Sequence, residues 1–102
     1  MSELLDLPTV TVHVINANTA IRTGGSTRGP DNKVGELQPG PVEAIHQATG
    51  QDITQASGKN FWWVRVRIPQ SDGTGWVSVT NLQEGPENQP VPGLPEVPTT
   101  FA

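Results

Sequence analysis

The chain has 102 residues, no cysteine, six basic against ten acidic side chains and a formal net charge of −4. That length supports one small domain burying only about 60–65% of its unfolded surface, and the missing cysteines exclude a disulfide framework, a thiolate nucleophile and a cysteine-based metal site. So few and so scattered cations argue against nonspecific nucleic-acid binding, which relies on Lys and Arg to displace counterions, and no apolar run approaches the roughly 18–20 residues of a membrane span.

Residues 1–8, MSELLDLP, read as an N-terminal arm. Acidic residues stand where a secretory leader would be basic, so no export signal is expected. Leu4, Leu5 and Leu7 are left over once the strands are drawn; they either close the bottom of the domain or form a partner contact.

Residues 9–15 alternate, with Val10, Val12 and Val14 on one face of a half-buried strand and His13 on its polar side. Ala20 and Ile21 precede a glycine-rich loop, TGGSTRGP. The G-x-x-x-x-G spacing from Gly24 to Gly29 is followed by Pro30 rather than lysine, so it is not a phosphate loop. The same loop misses the G-x-S-x-G elbow at its last position, leaving Ser26 as a turn serine. Residues 33–37 form a short segment between turns. A turn at Pro39, Gly40 and Pro41 leads into a strand over 42–47, whose alternation is muddled: Val42 and Ala44 fall on one face, Ile45 on the other. Residues 48–60 are polar and predict a long loop. Asp31, Asp52 and Asp72 read as turn residues, and no helix of usable length is expected.

Residues 61–82, FWWVRVRIPQSDGTGWVSVTNL, carry all three tryptophans. Two period-2 runs around an Asp-Gly pair predict a β-hairpin. Placing Ile68 opposite Gly75 pairs Val66 with Val77 and Val64 with Val79 on a core face; Arg67 then meets Trp76, and Arg65 meets Ser78, on the second face. Pro69 ends the first strand because it has no N–H for a central ladder. Trp62, on the valine face, is expected in the core, and Trp76 against Arg67 as a cation–π pair.

After Leu82 the composition shifts: residues 83–102 hold half of the ten prolines. This segment predicts an extended polyproline-type spacer reaching roughly 60 Å. Its PxxP spacings, Pro92 to Pro95 and Pro95 to Pro98, match the minimal ligand pattern for aromatic grooves, a pattern any proline-rich linker also produces.

Taken in order, these residues resemble the bacterial SH3 (SH3 type 3) family. Ala20, Ile21, Arg22, Thr23, Gly24, Gly25 and Ser26 stand for its N-V-R-S-G-P-S segment, followed by Val34, Gly35, Leu37 and Gly40. The hairpin then supplies Trp63, Val66, Gly73, Thr74, Gly75, Trp76, Val77 and Leu82. Ala20 departs from the usual asparagine, Gly25 from the proline, and Trp62 stands where glycine is frequent. The resemblance implies an all-β, small SH3-like barrel of five to six strands over residues 9–82, with an extended proline-rich tail. It also implies a noncatalytic module that binds peptides or peptidoglycan, at the cell envelope or outside the cell.

The expected ligand surface combines Trp63, Arg65, Trp76 and Arg22. Tryptophan offers large amphipathic area, and the planar arginine fork suits a ligand carboxylate; the alternative role for Arg22 is to tie down its loop through a carbonyl or Asp72. His13 and His46 lack metal-site spacing, and a base without a nucleophile proposes no reaction, so no catalytic residue, metal or cofactor is expected. The competing reading is a structural subunit, held in a larger assembly by the N-terminal leucines and by Pro92, Pro95 and Pro98.

Overall fold

The computed structural model describes residues 8–23, 33–56, 58–71, 73–85 and 87–100, with side chains as far as residue 97. The strands are β1 (Val10–Val14), β2 (Thr19–Arg22), β3 (Lys33–Leu37), β4 (Gly40–Gln55), β5 (Gly58–Arg67), β6 (Thr74–Ser78) and β7 (Glu96–Thr100), with a 3-10 turn over Val79–Asn81. Six of them follow one curled antiparallel path, β1-β4-β5-β6-β2-β3, while β7 lies parallel to β4. This is a small all-β barrel of the SH3-like kind.

Closure comes from β1. One edge pairs with β4, Val12 opposite Val42. The other meets the chain just after the 3-10 turn: Val14 bridges Leu82, Ile15 N–H donates to Asn81 O at 2.9 Å, and Gln83 N–H donates to His13 O at 2.8 Å. Joining both edges removes two rows of unpaired backbone groups that would otherwise template association.

The inward residues of the alternating strands make one core: Val12, Val14, Ile21, Leu37, Val42, Ala44, Val64, Val66, Val77, Val79 and Leu82. Gly75 lets β2 approach β6 closely. A Cβ there would lie 2.2 Å from Ile21 Cγ2 and 3.3 Å from Arg22 O, so any side chain would force the strands apart.

The tryptophan hairpin forms with its faces as expected but its register moved by two residues. Arg65, not Arg67, lies opposite Trp76; Val64 pairs with Val77, and Val66 with Gly75. A two-residue slip preserves both faces because the side-chain period is two. The cause is a tighter loop. Ser71 N–H donates to Ile68 O, Gln70 takes φ +63°, and Ile68 N–H closes on Gly73 O at 3.0 Å. Pro69 thus sits at the second position of a β-turn whose third residue is left-handed, a position proline favours.

Two bulges account for other departures. Ala44 pairs with Val66 and His46 with Arg65, so Ile45 is an extra residue in β4. Both Ala44 and Ile45 are buried, which is why the alternation of this strand looks muddled. A second irregularity lies between Thr49 and Ile53, beyond which pairing resumes with Ile53 opposite Asn60. Residues 48–60 are therefore a long β4–β5 hairpin instead of the expected loop. Asp52 belongs to this strand, not to a turn.

The proline-rich segment is not a free spacer over its described length. Val91 and Leu94 are buried in the barrel core. Leu94 N–H donates to Val91 O, and Gly93 has φ +81°, so Pro92 and Gly93 occupy the two central positions of a turn. A polyproline helix cannot run through Pro92 to Pro95. Buried Gln47 anchors this turn: its Oε1 accepts from Val91 N–H at 2.7 Å, while its Nε2 donates to Val91 O and Leu94 O, both at 2.9 Å. From there β7 runs along β4, with Glu96 opposite Gln47.

Candidate functional site

An open cleft of about 240 Å³ lies where three parts of the barrel meet. Asn16 to Ala20, from the β1–β2 turn into the start of β2, form one wall, and Arg22 stands at the end of β2. Ile53, Gln55 and Trp63 come from the β4–β5 hairpin. Ser78 and Asn81 flank the 3-10 turn.

Each wall is fixed locally. Asn18 holds φ +55°, a left-handed conformation that asparagine tolerates. Its backbone N–H donates to Gln38 Oε1 and its Oδ1 accepts from Gln38 Nε2 at 2.8 Å. Thr19 Oγ1 donates to Asn16 O at 2.7 Å, and Asn16 Nδ2 donates to Asn81 Oδ1 at 2.8 Å, joining the first wall to the third. Gln55 Nε2 donates to Thr80 Oγ1, which is itself hydrogen-bonded to Ser78 Oγ. The cleft is thus framed by amides and hydroxyls, and none of its described lining residues is acidic.

Of the four expected ligand residues, Arg22 and Trp63 share this cleft, whereas Arg65 and Trp76 do not line it. Trp63 is only 2% exposed. Its indole N–H donates to Gln51 O at 2.9 Å, and it packs with Ala48 and Trp76 in a second core cluster on the reverse face of the sheet. Trp62 is the less buried of the pair and tilts against exposed Phe61. Trp62 thus packs against the valine core as expected, though only partly buried, whereas Trp63 is the more buried of the two because the second face is itself covered.

Trp76 takes its cation from Arg65, whose guanidinium stands 5.8 Å from the ring centroid and whose Nε donates to Thr74 Oγ1 at 2.8 Å. His46 lies on the same indole, 5.6 Å between centroids. Burial, and after it the charge of Arg65, holds the His46 pKa below the ordinary histidine value. His13 instead pairs with Glu84 through Nδ1.

The expected partner contacts are distributed differently. Leu4, Leu5 and Leu7 lie outside the described residues, as do the 24–32 loop with Ser26 and Asp31, and Asp72. Pro92 and Pro95 are exposed; Pro98 is in β7, its side chain outside the described set. Pro95 does help line a second depression of about 180 Å³, with Pro8, Ile45, His46 and Val97.

Sequence reasoning missed Asn16, Asn18, Gln55, Ser78 and Asn81. The only available signal was the density of short polar turn residues at 16–19, which marks a turn without saying that it faces another.

Comparison with protein-family models, with curated proteins and with solved structures finds no match to this chain. The resemblance to bacterial SH3 domains thus rests on the residues quoted above.

Proposed function

We propose that this chain is a noncatalytic peptide-binding module of bacterial SH3 type, with the cleft between Asn18, Arg22, Gln55 and Asn81 as its ligand site. One observation carries the reading: Arg22 and Trp63, both singled out from sequence and 41 positions apart by their numbering, line one open cleft. A rigid barrel with turns gathered around a mixed polar and aromatic concavity is the usual form of a shallow recognition site. Arg65 and Trp76 share the sheet face of Trp63 beside that site and are not ligand contacts in this reading.

In the structural-subunit reading the contacts would come from the N-terminal arm and from the exposed Pro92 and Pro95, with Val91 and Leu94 docking that segment on its own barrel. Titration of the 15N-labelled protein with soluble peptidoglycan fragments tests the proposal. Shifts confined to the amides of Thr19, Gln55, Ser78 and Asn81 support it. Shifts confined to the Pro8, Ile45 and Val97 depression, or none at saturating concentration, refute it.

A further inference from the structure

We infer that the cleft selects peptides presenting a carboxylate, with Arg22 receiving it; this deepens the peptide-binding reading and rests on it. Among the described residues, Arg22 is the only charged one lining the cleft. Among the described residues its half-buried guanidinium has no hydrogen bond and no ion pair. It offers five N–H donors in a planar fork.

The strands around it supply no free anion among the described residues. Arg22 lies opposite Lys33 across the β2–β3 pair, next to the point where the register shifts after Ile21. The one acidic side chain on β3, Glu36, is already taken by Lys33. Bulges of this kind commonly re-aim a side chain at a site. The chain as a whole is acidic, at −4, so an acidic ligand finds its favourable field locally, at this cleft, and not over the general surface.

The neutral groups are biased the same way. The side-chain carbonyl oxygens of Asn18 and Asn81 already accept hydrogen bonds, from Gln38 and Asn16. Their Nδ2 groups donate to nothing among the described residues. A carboxylate, which only accepts when ionised, complements these amide donors. A cationic ligand would meet Arg22 across the cleft.

The test uses the full chain and two pools of acetylated tetrapeptides, identical except that one ends in a free carboxylate and the other in a carboxamide. Binding is followed by the shifts of the Thr19, Ser78 and Asn81 amides at low and high salt. The inference expects the carboxylate pool to bind about ten-fold or more tightly than the amidated pool, and this preference to fall with salt. It also expects the preference to vanish in Arg22→Gln and to persist, reduced, in Arg22→Lys, with both variants keeping wild-type amide dispersion. Equal binding of both pools, unchanged by Arg22→Gln, overturns the carboxylate preference while leaving the cleft as a peptide site. Silence of the cleft amides with either pool overturns both.

Discussion

Gln47 holds Val91 by both ends of its amide: Oε1 accepts the Val91 N–H at 2.7 Å and Nε2 donates to the Val91 carbonyl at 2.9 Å. A side chain in the middle of β4 thereby completes the backbone bonding of a residue 44 positions later. It does so in a site where Gln47 itself is fully buried. Buried amides left without partners are costly, so each of these bonds matters chiefly for the gap its loss would leave.

Gln47→Leu should therefore destabilise the domain by about 2–4 kcal/mol, since it strands the Val91 N–H and the Leu94 carbonyl in a closed site. Chemical denaturation measures it. Truncation after residue 85 removes the same partners, and the two changes combined should cost less than the sum of the separate losses. Strict additivity would show that the tail does not dock through Gln47.

How much of this was legible beforehand varies by element. The valines of β1, β5 and β6 announce themselves by alternation, and the triplet Gly75, Trp76, Val77 marks the place where β2 crosses β6. The hairpin's faces were readable but its register was not, because Pro69 and Gln70 make a turn where the Asp72-Gly73 pair offers the more familiar signal. Bulges defeat periodicity outright: Ile45 looks misplaced until it is seen as the inserted residue. The tail misleads through composition. It is held by main-chain groups, as when Asn88 N–H donates to Lys59 O and Asn60 Nδ2 to Gln89 O, and main-chain bonding leaves little trace in residue type. Of the cleft, only Arg22 and Trp63 carried a signal, since the remaining wall is made of ordinary turn amides.

The difference in burial between the two adjacent tryptophans is measurable. Trp63→Ala should cost about 3–5 kcal/mol, the usual range for deleting a buried aromatic ring. Trp62→Ala should cost clearly less, since its ring is only partly buried. Denaturant midpoints for the two variants check this, and equal losses would contradict the burial of Trp63.

Gly75→Ala adds one methyl where Ile21 Cγ2 stands 2.2 Å away. That atom sits on the β-branch of a fully buried side chain and cannot swing aside. Destabilisation of about 1–3 kcal/mol is expected from overpacking, together with displacement of β2. Because Arg22 ends that strand, ligand shifts at the cleft should weaken even where the variant is still folded. A Gly75→Ala protein with unaltered stability and unaltered cleft shifts would show that β2 is not held by this contact.

Stability should also fall on the acid side in two stages. His46 has a folded pKa below the ordinary 6.5, through burial first and Arg65 second. Below 6.5 the unfolded chain takes up the proton more readily than the folded one, so this contribution is complete above 6.5 and is lost as the pH falls through the folded value. Two carboxylates follow. Hydrogen bonds from Thr9 and Thr11 lower Glu43. At Glu84 burial pulls upward, but the side-chain and backbone hydrogen bonds from His13 prevail and the net shift is also downward. Their contributions are complete above the ordinary carboxylate value of 4.5 and are lost below it, as the pH passes through the lowered values. Both carboxylates are largely solvated, so their share is small. Denaturation midpoints between pH 7 and pH 3 separate the stages: His46→Gln should flatten the slope just below pH 6.5 and leave the lower one, whereas Glu43→Gln should flatten only the lower. A His46→Gln variant with the wild-type slope in the upper window would show that the indole of Trp76 and the charge of Arg65 do not hold His46 in its neutral form.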